Sequence, residues 1–306
     1  MRVRKRTLTE LEDTGDEDGN EACASKGDST DSKQVDLPED FKRRHLDKFN
    51  EGCSHILRVD PGLRPILLSA DFQLFSKNFR RQPQGLELLQ DAFSKLGNAI
   101  IGQQISNKAA RSIRERFVEH FGGEFPPYRE LYTLYKKETG KQEEIRQCGL
   151  SRRKTEYLES LATYFTENED RLLELFQSDA DATGQQIVDE LVHNVKGIGP
   201  WTAKMFLITG LRRYDVFAPE DVGIARGFSN YVRDKPELIA ELMKNRGTVK
   251  RTKIKHKSFK WKIHDDDIME RFAERFIPYR TIFMFLLWRL SSGTALEVEK
   301  EFVNIM

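Results

Sequence analysis

Apolar residues recur every three or four positions over most of the chain beyond residue 38, which is the spacing of one face of an α-helix. The clearest such runs are 86–96, 99–117, 157–165 and 187–195. Two pairs of residues that break helices, Gly122-Gly123 and Pro126-Pro127, separate these segments. The strict alternation that is typical of half-buried strands is scarce. The pattern therefore predicts an all-α fold with short connections.

Residues 1–38 have a different composition, rich in Asp, Glu, Gly, Ser and Thr and without an aromatic residue. Such a segment cannot bury enough apolar surface to offset the entropy of ordering it, so we predict a disordered N-terminal tail. It lacks the apolar core of a secretory signal. The basic cluster RVRKR at 2–6 is either a nuclear import signal, which predicts a nuclear protein, or a chance run.

The charge is unevenly distributed along the chain. Residues 1–40 carry 12 acids and 6 bases, so the rest holds 44 of the 50 bases and 37 of the 49 acids, a net charge of +7. An acidic tail thus masks a moderately basic body, which suits a polyanionic partner but also an ordinary solvated surface. The segment 244–262, KNRGTVKRTKIKHKSFKWK, is strongly basic and interleaves two aromatic residues. We predict a loop or insert there, which either contacts phosphates or is simply solvated.

Composition also excludes several classes of protein. The three cysteines, Cys23, Cys53 and Cys148, are far apart and odd in number, so they form neither a disulfide framework nor an iron–sulfur spacing. An intracellular, reduced protein is the simplest interpretation. No apolar run is long enough to span a bilayer, so we expect no membrane contact.

The stretch VKGIGPWTAKMF at 195–206 joins two predicted helices through a glycine turn. Pro200 stands where a first helical residue belongs, because its missing N–H costs nothing there. Gly197 and Gly199 allow a tight turn and a close approach to the backbone, and Ile198 can fill the gap between the helices. The N–H groups at the start of the second helix favour an anion. The pattern predicts either an anion-binding helical hairpin or an ordinary one.

An aspartate follows this hairpin after a short loop. The second helix should end near Gly210, and Pro219 favours an extended approach to Asp221, which precedes a helix beginning VGIARGF. An aspartate in such a place is usually only an N-cap.

The hairpin, the loop and this aspartate together resemble the helix–hairpin–helix DNA glycosylases, the HhH-GPD superfamily. The segments AIIGQQISNKAA at 99–110, CGLSRRKTEYLESLA at 148–162 and ERFIPYRTIFMFLLWRL at 274–290 resemble its alkylation-repair branch of 3-methyladenine DNA glycosylases, most closely the fungal members. The resemblance covers about 45–303 and implies one glycosylase domain at 39–306. Its two helical subdomains would be 96–228, with the hairpin, and 39–95 plus 229–306, with the basic insert, around a DNA-binding cleft.

The resemblance implies an enzyme that flips an alkylated purine out of the duplex and hydrolyses its N-glycosidic bond, leaving an abasic site in base excision repair. Asp221 would be the catalytic carboxylate, with the adjacent Glu220 a lesser candidate. The residues that match the base pocket are Trp288, Tyr279, Met205, Val222 and Gln103. Because Met205 and Val222 stand where the family has aromatic residues, this pocket would be less aromatic than the bacterial one. Trp288 and, with more reason, Trp201 are alternatively residues of the apolar core.

Other positions match the family's DNA-binding surface. Gln104, Ile105 and Ser106 match the wedge that enters the minor groove, unless Ile105 faces the core instead. The residues expected at a DNA phosphate are Gly197, Ile198, Gly199, Trp201 and Thr202. The family hairpin implies a monovalent cation, Na+ or K+, at the backbone carbonyls of His193, Val195 and Ile198; no other cofactor is implied. Double-stranded DNA with alkylated purines is the expected partner of a monomeric protein.

The position at which bifunctional glycosylases carry a Schiff-base lysine is Trp201 in this chain, and Lys204 lies almost one turn further along the helix. The resemblance therefore implies a monofunctional enzyme without lyase activity. Two rival interpretations stay open: a glycosylase for oxidised or mismatched bases, and a non-catalytic protein that uses the hairpin only to bind DNA. Asp221 argues against the second, because a carboxylate repels the phosphates that a pure binder must hold.

Overall fold

The computed structural model describes residues 36–137, 141–178, 183–244, 246–254 and 260–291. The predicted disordered tail lies outside the described residues except for its last three, and so does the basic cluster at 2–6. The helices up to the middle of the chain are α1 (Glu39–Arg44), α2 (Asp47–Val59), α3 (Arg64–Leu67), α4 (Gly85–Gly102), α5 (Asn107–His120), α6 (Tyr128–Lys137), α7 (Lys141–Gln147) and α8 (Arg152–Glu167). The later helices are α9 (Glu169–Gln177), α10 (Gln185–Asn194), α11 (Pro200–Thr209), α12 (Val222–Tyr231), α13 (Pro236–Lys244), α14 (Asp266–Ala273) and α15 (Arg280–Ser291).

Helices dominate the described residues, which contain no strand and a single β-bridge between His45 and Ser76. The predicted all-α fold is therefore confirmed. The run 86–96 lies within α4, the run 157–165 lies within α8, and the run 187–195 follows α10 to its end. The glycine and proline pairs fall between α5 and α6, where they were expected to separate helices.

The structure breaks the run 99–117, whose apolar spacing predicted one helix. α4 ends at Gly102 and α5 begins at Asn107, so residues 103–106 form a turn. Gln104 adopts φ +57°, a left-handed conformation that cannot continue an α-helix. The Ser106 hydroxyl accepts the Ala109 N–H at 3.3 Å and caps α5. Local turn and cap chemistry thus overrides the apolar period.

Two groups of helices share one continuous apolar core. Helices α4 to α11 pack on one another, while α2, α3 and α12 pack on α15, and α13 packs on α14. The predicted subdomain boundary at 95/96 falls inside α4, and the one at 228/229 falls inside α12. The division into two subdomains stays a prediction.

The last helix, α15, is buried on all sides and packs along α12. Their backbones come so close at Gly227 that a Cβ there would lie 1.9 Å from the Leu287 carbonyl oxygen. Arg289 holds the far end of α15, since its guanidinium donates to the Asp71 carbonyl at 3.0 Å and lies over the Phe72 ring. Although α15 is apolar, no helix in the described ranges has the length and apolarity needed to cross a membrane.

Two buried histidines stabilise the fold in their neutral form. The His45 Nδ1 lies 2.9 Å from the Phe41 carbonyl oxygen, and its Nε2 accepts the Phe72 N–H at 3.0 Å. Because a carbonyl only accepts and an amide only donates, the proton of the neutral ring is assigned to Nδ1. Burial lowers the pKa of His45. His264 packs against the Phe228 ring, and its pKa is lowered to about 4, chiefly by burial.

Acidification is expected to destabilise the protein through these histidines. The unfolded chain binds protons at both rings below about pH 6.5, and the folded chain excludes them, so the free energy of unfolding falls as the pH is lowered. For His264, with a pKa of about 4, the loss is about 2 to 3 kcal/mol by about pH 4.5. Thermal unfolding across this range measures the loss. His264→Gln should flatten the dependence, whereas the same change at the exposed His120 should not; an equally steep curve for His264→Gln would assign the sensitivity to other groups.

Candidate active site beside the hairpin

Asp221 lies at the N-terminus of α12, at the end of the loop that follows the hairpin. Its backbone N–H donates to the Ala218 carbonyl at 3.1 Å, and its Oδ1 accepts the Ile224 N–H at 2.9 Å, so the carboxylate caps the helix. The predicted N-cap geometry is confirmed. A cap uses only one of the two carboxylate oxygens, however, and the second has a partner of another kind.

Two tryptophan indoles donate to this carboxylate. Trp201 Nε1 lies 2.8 Å from Oδ2 of Asp221, and Trp288 Nε1 lies 3.0 Å from Oδ1. Together with the helix cap, these donors orient both oxygens, and the residue is only 9% exposed. A negative charge fixed in this way needs no reorganisation when a positive charge develops in front of it.

The two tryptophans reach Asp221 from different groups of helices. Trp288 is 4% exposed in α15 and packs against Phe285, so it is a core residue that also binds the carboxylate. Trp201 lies in the first turn of α11 and is 40% exposed, so its alternative interpretation as a core residue is wrong. Sequence reasoning placed it at a phosphate and missed its bond to Asp221, because 20 residues and a loop separate the two.

The hairpin of α10 and α11 has the geometry that its glycines predict. Gly197 adopts φ +84°, and a side chain there would meet the Tyr157 ring at 2.2 Å. Gly199 has open space where its side chain would be, and Ile198 is buried in the core. α11 begins at Pro200, as predicted, and no side chain caps it. This arrangement leaves a helix N-terminus open to an anion.

A cavity of about 750 Å³ opens beside the hairpin turn. Gln103 and Met205, both expected in the base pocket, line it together with Trp201 and Thr202. Met205 and Thr202 are buried, so each presents little surface to the cavity. The lining residues that sequence reasoning missed include Arg153, Lys154 and Tyr157. The segment 148–162, which contains these residues, resembles the family, but the resemblance assigned it no role in the site. The fold brings the start of α8 beside the hairpin.

Tyr279 does not join the Asp221 group, which corrects its expected place in the base pocket. It lines a second cavity of about 890 Å³ with Tyr214, and its ring faces Gly52 of α2. It precedes Trp288 by nine positions, which is about 13 Å along a helix. Tyr279 directly precedes α15, whereas Trp288 lies near the C-terminal end of this helix, so the two side chains lie at opposite ends of α15. Val222, by contrast, directly follows Asp221 and is 48% exposed.

The expected wedge residues lie in the turn between α4 and α5. Gln104, Ile105 and Ser106 are all exposed, and Ile105 is 37% exposed. The alternative in which Ile105 faces the core is therefore wrong. An apolar side chain at the tip of a turn, beside a cavity, has the placement that insertion between base pairs requires.

Lys204 pairs with Glu220 and not with the catalytic candidate. Its Nζ lies 3.0 Å from the Glu220 carboxylate, and the two side chains are 17% and 26% exposed. The pair ties α11 to the residue before Asp221. It also keeps the lysine amine engaged away from the Trp201–Asp221 contact.

The predicted insert at 244–262 begins with Lys244, the last residue of α13, and its described residues 246–254 and 260–262 form a loop. Arg246 pairs with Asp265 and Asp267 at 2.6 and 2.7 Å, and Lys250 pairs with Glu270 at 2.7 Å. These bonds raise the pKa of Lys250 and lower that of Asp267. Part of the basic charge is thus neutralised within the protein. A phosphate contact by the remaining bases stays a prediction.

Known proteins resemble the chain over most of its length. The family model of the HhH-GPD superfamily of base excision DNA repair proteins matches residues 98–248. The DNA-3-methyladenine glycosylase of Saccharomyces cerevisiae is 53% identical over 275 residues, which cover 89% of this chain and 90% of that protein. The chain belongs to the HhH-GPD superfamily. A more distant relative, the DNA-3-methyladenine glycosylase of Bacillus subtilis, is 27% identical over 201 residues, which are 61% of either chain.

Solved structures of HhH-GPD proteins have the same fold. The DNA-3-methyladenine glycosidase of Bacillus halodurans superposes with a TM-score of 0.56 at 24% identity, covering 83% of this chain and 95% of that one. The 3-methyladenine DNA glycosylase of Schizosaccharomyces pombe, solved with abasic DNA, superposes with a TM-score of 0.52 at 22% identity, covering 78% and 95%. At these identities the likeness establishes the fold alone.

Proposed function

We propose that this HhH-GPD protein is a monofunctional DNA glycosylase that removes alkylated purines, such as 3-methyladenine and 7-methylguanine, and leaves an abasic site for base excision repair. The observation that carries the proposal is the Asp221 carboxylate, which Trp201 and Trp288 orient beside the hairpin. The identity of 53% to the yeast glycosylase supports the same class of substrate. A protein that only binds DNA gains nothing from a fixed carboxylate, which repels phosphates.

Asp221 stabilises the positive charge that develops on the sugar. As the N-glycosidic bond breaks, its electron pair leaves with the base, and the sugar becomes cation-like at C1′ and the ring oxygen. The preorganised carboxylate lowers the energy of this state. A water molecule then adds at C1′, and the carboxylate aligns it and accepts its proton.

The alkylated base leaves readily because alkylation on a ring nitrogen makes it cationic. The site therefore needs no strong general acid, and an electron-rich ring face suffices to attract the base. The exposed Trp201 ring offers such a face beside Gln103 and Met205 in the cavity. We assign Val222 to the open edge of this pocket, and Trp288 to the support of Asp221 from the core side.

The base must leave the stack before Asp221 can reach its sugar. We assign the filling of the gap to Ile105, inserted from the minor groove with Gln104 and Ser106 on either side. The hairpin holds the backbone near the extruded nucleotide, since its glycines let a phosphate approach the N-terminus of α11. Gln104 and the hairpin line the same cavity, so both contacts are made around one nucleotide.

No lyase step is assigned to this site. A lyase needs an amine that attacks C1′ and forms a Schiff base. Trp201 occupies the position of that amine in the sequence, and Lys204 is paired with Glu220. The strand should therefore remain uncut after base release.

We also propose that the hairpin binds Na+ or K+ and that no other cofactor is required. The ligands would be the backbone carbonyls of His193, Val195 and Ile198. These oxygens lie at the end of α10 and in the turn after it, where helix carbonyls lack intrahelical partners. The Val195 carbonyl accepts a long bond of 3.3 Å from Ile198 and has a second lone pair for an ion. Such an ion would add positive charge beside the phosphate site.

The macromolecular partner is DNA. We propose that the substrate is a duplex with one alkylated purine. We further propose that the protein acts as a monomer, because Asp221, the hairpin and the wedge turn all come from one chain. The cluster RVRKR at 2–6 supports a nuclear location.

Incubation of the purified protein with methylated duplex DNA, without divalent metal, tests this function. Chromatography measures the released bases, and a denaturing gel measures strand cuts. The expected result is free methylpurine and a strand that stays intact until alkali treatment. Bound DNA without any released base, on methylated and deaminated substrates alike, would assign the protein to the DNA-binding modules. Release of oxidised or mismatched bases alone would assign it to another branch of the superfamily.

A further inference from the structure

The wedge turn is tied to two other elements of the DNA-facing surface by long-range side-chain hydrogen bonds. Gln103 Nε2 donates to the Gly197 carbonyl of the hairpin at 2.8 Å. Lys154 Nζ, from the first turn of α8, donates to the Ile101 carbonyl near the end of α4 at 2.7 Å. Gln103, Lys154 and Gly197 all line the cavity beside the hairpin.

Both bonds serve backbone carbonyls that helices leave without partners. Ile101 belongs to the last turn of α4, whose carbonyls have no intrahelical donor, and Gly197 lies in the turn between two helices. The Lys154 bond is charge-assisted, which places it among the stronger hydrogen bonds of proteins. Lys154 is partly buried, and burial lowers its pKa, so its ammonium is partly withdrawn from water.

The residue that directly follows these bonds has a strained backbone. Gln104 has φ +57°, which is sparsely populated by residues with a side chain. Such a conformation persists only where its surroundings hold it. Gln104 and Ile105 are exposed, so the restraint must come from the residues before them and from the Ser106 cap after them. The hydrogen bonds at Ile101 and Gln103 supply the restraint on the side before Gln104.

We propose that Gln103 and Lys154 are positioning residues: Gln103 couples the wedge turn to the hairpin, and Lys154 couples it to α8. Phosphate binding by the hairpin and insertion of Ile105 then take place in one fixed geometry. This inference rests on the proposed function. It gives Gln103 a role other than base contact, and Lys154 a role other than neutralising a phosphate. Extrusion of a paired base depends on the coupling, whereas the chemistry at Asp221 does not.

The test compares two DNA substrates that differ in how readily the damaged base leaves the stack. One carries a single methylated purine opposite its normal partner, and the other carries it unpaired in a bulge, where extrusion costs little. Lys154→Met is expected to lower the single-turnover rate on the paired lesion about tenfold, the effect of one lost hydrogen bond. The rate on the bulged lesion should stay within about twofold of wild type. Gln103→Ala should also lower the rate on the paired lesion, and the double variant should lose less of that rate than the product of the two effects.

Arg152→Met is the matched control. It removes a positive charge from the same first turn of α8, but Arg152 pairs with Glu156 of its own helix. If Lys154 only neutralised a phosphate, Lys154→Met would flatten the salt dependence of DNA binding. We expect a wild-type salt dependence for Lys154→Met and recovery of the paired-lesion rate in Lys154→Arg, which keeps a donor.

Three results would overturn the inference: equal loss of rate on both substrates, equal loss of paired-lesion rate in Arg152→Met, or a flattened salt dependence in Lys154→Met. Unfolding of the variants is excluded by the bulged lesion, on which a misfolded protein would also fail. A wild-type protein that releases no base from either substrate would instead overturn the proposed function.

Discussion

Replacing Asp221 by asparagine is expected to slow base release about 10³-fold while DNA binding survives. The carboxamide oxygen can still accept from the Ile224 N–H and the Trp288 indole, so the helix cap is retained. The amide NH2 group then faces Trp201 Nε1, and two donors meet where Oδ2 now accepts. The charge opposite the developing cation is lost. Preorganised groups of this kind contribute about 10²- to 10³-fold to a rate, and we expect the upper end here.

The matched control for this variant is Glu220→Gln, which removes a carboxylate from the adjacent residue. Glu220 is paired with Lys204 and receives no indole N–H, so its loss should change the rate only about twofold to fivefold. Single-turnover base release and DNA affinity are measured at one salt concentration, because affinity for DNA depends on it. Unchanged base release in Asp221→Asn would remove this residue from the chemistry. Joint loss of release and affinity would indicate a distorted fold.

The hairpin and its aspartate were predictable because their signals are local. A first-turn proline, a glycine with positive φ and an N-cap each depend on one or two residues, and Pro200, Gly197 and Asp221 have the predicted geometry. The break after Gly102 was missed because the apolar spacing continues across it. Apolar periodicity indicates which residues are buried, but it does not show where one helix ends and the next begins. The N-cap at Ser106 marks the start of the new helix.

The partners of Asp221 could not be predicted in this way. Trp201 and Trp288 lie 20 and 67 residues from it, and only the packing of α11, α12 and α15 brings their indoles to one carboxylate. The bonds of Lys154 and Gln103 span 53 and 94 residues and escape local patterns for the same reason. A motif can identify a segment as part of a site without stating which end of its helix faces that site.

The close contact between α12 and α15 predicts a large loss of stability when Gly227 is replaced by alanine. A methyl group on Gly227 would lie 1.9 Å from the Leu287 carbonyl oxygen and 2.5 Å from its carbonyl carbon. These are backbone atoms of a buried helix, so no side-chain rotation relieves the overlap and the helices must move apart. We expect Gly227→Ala to lower the free energy of unfolding by about 3 kcal/mol. The gain in helix propensity from alanine, about 1 kcal/mol, is too small to offset this.

Chemical denaturation measures the effect, with Gly102→Ala as the control. The nearest atom to a methyl group on that helical glycine is the Ala110 Cβ at 3.9 Å, an ordinary contact, so stability should stay level or rise. The same displacement should reach the chemistry, because α12 carries Asp221 and α15 carries Trp288, whose indole donates to it at 3.0 Å. Under conditions in which Gly227→Ala remains folded, its base release should therefore be slower than that of wild type. Wild-type stability and rate together would show that the backbone contact does not hold the carboxylate in place.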